Sequence, residues 1–426
     1  MNQPPPLEPA PGWDQALYAG AAGIALAHIE YAHAGVGGWD TAHRWTAATV
    51  RGPVTAHPAC GLDRGAPAVA FTLHAADRPG YAPALAVLDE HIAALTRHRL
   101  RRARERIDAR LLPALREYDL IRGLTGIGAY LLHRHSSTRT SGGSLLREVL
   151  AYLVRLTEPL TIDDGVVVPG WWSANAPNDR PSPDWPGGHG NLGMAHGIAG
   201  PLALLSATLR RGITVPGHAE AIERICAWLD QWRTGTGTQA WWPELISRRE
   251  HDCGASTQAG PGRPSWCYGT PGLVRAQQLA ALALGDPRRQ RQAEHALAGC
   301  LTDEQQVAHL RDASLCHGWA GLLYTTWRVA ADATEPDLFD LPQLLHRTQR
   351  FLHQHGPPDQ DGLLDGVAGV HLACHTVTVG VTPRLGWDAC LLLDGGRPRT
   401  PDVAHPAPSN RPPRRSPAEV PYGRQR

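Results

Sequence analysis

Hydrophobic residues in this chain gather in short runs, and each run follows a Gly-x-x-Gly step. Gly20-Ala21-Ala22-Gly23 leads into Ile24-Ala25-Leu26-Ala27, and Gly123-Leu124-Thr125-Gly126 into Ile127-Gly128-Ala129-Tyr130-Leu131-Leu132. The step recurs at Gly197-Ile198-Ala199-Gly200, Gly269-Thr270-Pro271-Gly272, Gly318-Trp319-Ala320-Gly321 and Gly366-Val367-Ala368-Gly369. A degenerate copy, Gly65-Ala66-Pro67-Ala68, has alanine where the second glycine should stand. Successive starts lie 45, 58, 74, 72, 49 and 48 residues apart. Each interval has room for one helix, a second helix and a return loop, the signature of a repeat architecture.

The two helices of each repeat read differently. Segments directly after the glycines, such as Leu273 to Leu284, are small and apolar nearly all round, as a helix buried on every side requires. The second segments are amphipathic: Leu146, Val149, Leu150 and Leu153 recur at helical spacing, as do Ile222, Cys226 and Leu229, and Ala293, Leu297, Cys300 and Leu301. These belong outside. Small residues at the helix entrances let inner helices converge, and glycine permits the tight turn that leads into them. The pattern predicts a single all-α domain over residues 1–394, an α/α toroid of seven inner and seven outer helices, with its entrances gathered at one end as the natural site.

The two widest intervals hold loops rich in Trp, Pro and Gly, from Trp171-Trp172 to Gly190 and from Trp241-Trp242 to Gly262. They are read as rim loops over the mouth, where specificity usually lies. Arg97 to Arg110 reads as the solvated face of a helix, with peptide docking as the less favoured role. A last helix is expected around Trp387 to Leu393. Beyond it, residues 395–426 carry eight prolines and few large apolar groups, a composition that predicts a disordered tail.

Composition narrows the partners. Net charge is +1, which favours neither nucleic acid nor an anionic membrane. No apolar run reaches the roughly 18 residues of a membrane span, and no secretory signal opens the chain. The absence of lysine excludes Schiff-base chemistry. Eight cysteines in 426 residues argue for reduced thiols and selective metal use, and so for the cytoplasm.

The chemistry concentrates at the glycine steps. Cys267, in Ser265-Trp266-Cys267-Tyr268-Gly269, and Cys316, in Leu315-Cys316-His317-Gly318, each stand two residues before a motif glycine, with His317 beside the second. A helix N-terminus favours thiolate over thiol. Two cysteines and one histidine make three zinc ligands and leave the fourth position of a tetrahedral ion open, as in catalytic sites. Cys374-His375 is the same dipeptide but lies eight residues past Gly366, inside an inner helix, and is assigned to the core. His251-Asp252-Cys253 is assigned to a surface loop. His196, directly before Gly197, stands at the entrance level as a candidate general acid or base, and Asp119, four residues before Gly123, could orient it.

The combination Asn191-Leu192-Gly193-Met194-Ala195-His196-Gly197-Ile198-Ala199-Gly200-Pro201, Ser265-Trp266-Cys267-Tyr268-Gly269 and Leu315-Cys316-His317-Gly318 resembles the lanthionine synthetase C family, the cyclases of lanthipeptide biosynthesis. The resemblance runs from about residue 20 to 393, with the degenerate second step its main departure. It implies one zinc ion per chain on Cys267, Cys316 and His317, a catalytic His196 with Asp119, and active-site roles for Arg263 and Tyr268. The implied reaction adds a cysteine thiol of a precursor peptide to dehydroalanine or dehydrobutyrine, closing a thioether ring. Because the toroid begins at once, it also implies a separate dehydratase as partner, with an exporter and peripheral attachment to a membrane-borne complex as further expectations. Two other functions fit the same residues: addition of glutathione or another small thiol to dehydrated residues, and a peptide-binding scaffold, which would need neither His196 nor an open metal position.

Overall fold

The computed structural model describes residues 4–6, 10–135, 142–162, 165–383 and 386–394. Thirteen long helices alternate between two layers among these residues, numbered here in chain order so that odd helices are inner and even ones outer. The inner helices are α1 (Ala21–His33), α3 (Ala66–Ala76), α5 (Leu124–His135), α7 (Ala199–Leu209), α9 (Thr270–Leu284), α11 (Trp319–Asp332) and α13 (Val367–Val379). The outer ones are α2 (Trp39–Ala48), α4 (Ala82–Asp108), α6 (Gly142–Leu156), α8 (His218–Gln231), α10 (Pro287–Thr302) and α12 (Leu341–His355). Each inner helix packs on the next, and α13 packs back on α1, closing the ring. The toroid expected from the repeat is the architecture found. No helix among the described residues is long and apolar enough to cross a membrane.

The layers follow from side-chain chemistry. α3 and α7 are buried over almost their whole length because they carry little but Ala, Leu, Val, Pro and Thr. On α6 the stripe Leu146, Val149, Leu150 and Leu153 is fully buried, as its spacing requires. The outer helices α10 and α12 begin on aspartate caps, with Asp286 accepting from Arg288 and Arg289 N–H and Asp340 from Gln343 N–H. The inner helices α1, α3, α9, α11 and α13 begin on glycine with no side-chain cap. Their first amides bond instead to a backbone segment folded over them: Gly272 N–H donates to Ser265 C=O, Gly321 to Ser314 and Ala368 to Asp361.

That fold-back is why both glycines of the step are needed. A Cβ on the second glycine would fall 1.9 Å from the carbonyl oxygen of Trp266 at Gly272, 2.2 Å from that of Leu315 at Gly321 and 1.8 Å from that of Leu363 at Gly369. On the first glycine it would meet backbone at 2.2 Å in Gly269 and 2.3 Å in Gly318. The degenerate second step keeps its first glycine at φ +74°, a left-handed conformation, with Thr55 C=O and the Cys60 sulfur pressed against it.

The folded-back segments bond to one another around the mouth. The residue two before each motif glycine offers its carbonyl to the neighbouring repeat. Leu17 N–H donates to Asp63, Asp63 to Ile121, Leu120 to Ala195, Met194 to Cys267, Cys267 to Cys316, Cys316 to Leu364, and Leu364 back to Tyr18. This closed belt of backbone hydrogen bonds passes through both entrance cysteines.

The last described segment differs from expectation. Trp387–Leu391 is a short 3₁₀ helix that lies inside the ring, so it adds no outer helix. Its surroundings come from around the circle. Tyr18 OH donates to Cys390 C=O, Trp266 Nε1–H to Leu391 C=O and Arg275 to Leu393 C=O, while Arg328 pairs with Asp388 and Arg211 with Asp394. Trp387 and Leu391 supply large apolar surface that the small-residue inner helices lack, so the segment fills the barrel and gives the mouth a floor. The tail expected over residues 395–426 lies outside the described residues.

Candidate functional site

The residue just before each motif glycine stands one step up from the belt. In ring order these are Ala19, Arg64, Arg122, His196, Tyr268, His317 and Asp365, and all seven retain solvent exposure while the glycines that follow are buried. Their side chains reach toward adjacent repeats: Arg122 toward Asp63, His196 to Asp119, Tyr268 to Asn191 and His317 toward Asp365. They form a crown around the mouth.

Within this crown the Sγ atoms of Cys267 and Cys316 and a ring nitrogen of His317 lie within 4.8 Å of one another. No other such group of three His, Cys, Asp or Glu occurs among the described residues. Ser265 and Ser314, each four residues before a motif glycine, clamp the two turns: Ser265 Oγ accepts from Tyr268 and Gly269 N–H, and Ser314 Oγ from His317 N–H. A hydrogen bond from Cys316, opposed by burial and aided by His317 and Ser265, holds the Cys267 thiol well below its ordinary value. The same shared proton, together with burial, pushes Cys316 up, and the bond to Cys267 raises His317. Two soft sulfurs and one imidazole at this separation suit zinc in kind and in number.

His196 Nδ1 lies 2.7 Å from Asp119 Oδ2. The other oxygen, Asp119 Oδ1, accepts from Arg122 N–H at 2.6 Å and Gly123 N–H at 2.7 Å, so the carboxylate is fixed in place and almost fully buried. Asp119 therefore accepts a hydrogen bond from Nδ1–H and leaves Nε2 facing the mouth. Tyr268 lies 6.4 Å from His196 between ring centroids, and its hydroxyl accepts from Asn191 Nδ2 at 3.2 Å. Burial pushes the phenol up, so it stays protonated. Arg263, half-buried, makes no hydrogen bond or ion pair with a described residue, yet it lies close enough to Cys316, His317 and Asp365 to act on their charges.

Sequence reasoning passed over three carboxylates here. Asp312 Oδ1 accepts from Ser314 N–H at 2.8 Å, and its Oδ2 lies 3.4 Å from His317 Nε2. Asp365 lies 3.7 Å from His317 Nδ1. Glu244 belongs to a rim loop, where Leu192 N–H donates to its carbonyl; burial raises its carboxyl, Cys267 adds to the rise and Arg263 opposes it. The two rim loops pair as antiparallel strands, His189–Asn191 with Leu245–Ser247, so they brace each other beside the site.

The decoy pairs stay outside. Cys374 and His375 lie inside α13 as expected, though half-buried; burial pushes the Cys374 thiol to about 11, and His375 packs edge-on against Tyr31 at 5.2 Å. His251, Asp252 and Cys253 belong to a short helix, Arg248–Cys253, on the rim.

A closed helical ring with three possible soft-metal ligands, Cys267, Cys316 and His317, and an Asp–His pair at its mouth defines a class of α/α-toroid. The chain belongs to the lanthionine synthetase C-like family, whose sequence profile matches residues 11–392. It is 24% identical over 281 residues to the nisin biosynthesis protein NisC of Lactococcus lactis subsp. lactis. That alignment spans 65% of this chain and 65% of the relative, just short of two thirds. The solved structure of a nisin cyclase superposes with a TM-score of 0.73 at 20% identity, covering 90% of this chain and 93% of that one, and so shares its fold.

Proposed function

We propose that this protein is a zinc-dependent lanthionine synthetase that closes thioether rings in a dehydrated precursor peptide. The observation that carries the reading is the juxtaposition at one mouth of a Cys₂His donor set and the His196–Asp119 pair. Cys267, Cys316 and His317 would hold the ion. Bound zinc supplies a Lewis acid that favours the thiolate form of a substrate thiol at neutral pH.

The chain's own residues handle the rest of the addition. The substrate sulfur bonds to the β-carbon of dehydroalanine or dehydrobutyrine, the Cα=Cβ π pair moves toward the amide oxygen, and one proton ends on the α-carbon. Arg263, a cation that forms no hydrogen bond or ion pair with a described residue, is suited to face the oxygen that gains charge. His196 delivers the proton from Nε2 while Asp119 steadies the imidazolium at Nδ1. Tyr268, held by Asn191, limits where the peptide lies relative to His196. Reactant and product have equal mass, because the thiol proton is returned to carbon.

The reading implies a peptide supplied by a separate dehydratase and taken onward by an exporter, with the work done in a reducing compartment such as the cytoplasm. The test incubates the protein with a dehydrated, cysteine-containing peptide and counts thiols that iodoacetamide can still label. Loss of one labelled thiol per ring at constant mass supports the cyclase. Unchanged labelling with zinc-loaded protein would sink it, and a mass gain with added glutathione would point to the small-thiol reaction instead.

A further inference from the structure

The crown is electrically lopsided. On one arc, Arg64 and Arg122 stand at consecutive entrances and share a single acid: Asp63 Oδ2 lies 2.9 Å from Arg64 Nε and 3.8 Å from Arg122 Nε. Their side chains are 59% and 55% exposed, whereas that of Asp63 is 10% exposed. Two exposed guanidinium groups share this one buried carboxylate, so most of the arc's N–H donors lie in solvent. Two entrances from Arg64 in the other direction, past Ala19, Asp361 and Asp365 are exposed and carry negative charge. The sevenfold belt makes this a property of the site, because Arg122 occupies the place in its repeat that His196 and His317 occupy in theirs. Arg122 N–H also donates to Asp119 Oδ1, so the cationic arc abuts the proton-handling pair.

We propose that Arg64 and Arg122 dock an acidic side chain of the peptide substrate and so set the direction in which the peptide crosses the mouth. The proposal rests on the reading of the protein as a peptide cyclase. Arginine suits this role because its planar fork matches a carboxylate in two parallel hydrogen bonds. The Asp361 and Asp365 entrance repels the same carboxylate, so a peptide placed with its acid there is disfavoured as well as the docked one favoured. Exposed arginines elsewhere lack this setting. Arg101 and Arg102 lie on the solvated face of α4, and Arg116 is held by Asp179 at 2.6 Å.

The test uses the full chain and two fluorescein-labelled synthetic peptides, each with one cysteine and otherwise Gly and Ser, one carrying three glutamates and the other three glutamines. Anisotropy at low ionic strength should show the glutamate peptide binding about fivefold tighter, with the gap closing by roughly 0.5 M salt as screening shortens the reach of the charges. In Arg64→Gln/Arg122→Gln the gap should fall below about twofold, while the control Arg101→Gln/Arg102→Gln keeps it. No preference in the wild type, a preference that survives in the mouth variant, or an equal loss in the α4 control would overturn the assignment. The readout is binding and not ring closure, so unchanged thiol labelling in the dehydrated-peptide assay would sink the cyclase reading, while the glutamate preference and its loss in the mouth variant would still report an acidic-peptide site on this arc.

Discussion

The chain carries the dipeptide Cys-His twice, and the two copies differ only in where they fall along a repeat. Cys316-His317 ends a folded-back segment just before a motif glycine; Cys374-His375 lies within α13. At the entrance, the belt brings Cys316 beside Cys267, Ser314 fixes the turn, and the hydrogen bond from Cys316 holds the Cys267 thiol well below its ordinary value. In the helix, burial alone acts on Cys374 and pushes it to about 11, so it remains a thiol. Residue type supplies a possible ligand, and register within the repeat decides whether it becomes one.

The sharpest way to break this contrast is to remove each pair in turn. Cys316→Ala should abolish ring closure, a loss of more than about 10³-fold, because a three-ligand site with one sulfur gone holds zinc poorly. Cys374→Ala should leave the rate within about twofold and cost on the order of 1 kcal/mol of stability, read by thermal unfolding. Equal losses in the two variants would mean that register is not what matters.

His196→Ala tests the next level. The donor set is untouched, so zinc content should stay at the wild-type value while the rate of ring closure falls about 10²- to 10⁴-fold. Asp119→Asn keeps the shape but loses the negative charge that selects the Nδ1–H tautomer. A fall of about 10²-fold with normal metal content is expected, smaller than for His196→Ala. A full rate in either variant would remove that pair from the chemistry.

Much of this was legible in the sequence, because the glycine step is a local steric requirement. A Cβ 1.9 Å from Trp266 C=O cannot be accommodated, so Gly272 appears as a letter in the chain wherever the fold needs it. The two-residue offset of Cys267 and Cys316 was legible for the same reason, although the belt that explains it was not, since backbone hydrogen bonds leave no residue signature. Asp312 and Glu244 were passed over because they reach the site through turn and loop geometry. The stretch from Trp387 to Leu393 reads as a last helix by its apolar content, with nothing in it that assigns a layer. Only the ring's need for bulk at its centre, a non-local demand, draws it inside.

The third His/Cys group, His251-Asp252-Cys253, offers the smallest and most local test. Its short helix depends on Glu250, which takes hydrogen bonds from Ser247 and from Thr257. Burial alone would raise the Glu250 carboxyl, but the bonds from Thr257 and Ser247 override it and bring it to about 2. A carboxyl depressed in the folded state stabilises above its unfolded value and loses that contribution as pH falls through the folded one. The rim segment 247–257 should therefore loosen between roughly pH 4.5 and 2, losing on the order of 2 kcal/mol. Hydrogen exchange of these amides would show it, and Glu250→Gln should show the same looseness at neutral pH. Metal content should not change in that variant, since no ligand lies on this helix.

Most direct of all is zinc K-edge absorption on the purified full chain, combined with metal stoichiometry. About one zinc per chain is expected, with two sulfur neighbours near 2.3 Å and the remaining shell of nitrogen or oxygen. A metal-free protein, or a zinc whose shell contains no sulfur or four sulfurs, would contradict a centre built from Cys267, Cys316 and His317 with one position left for substrate.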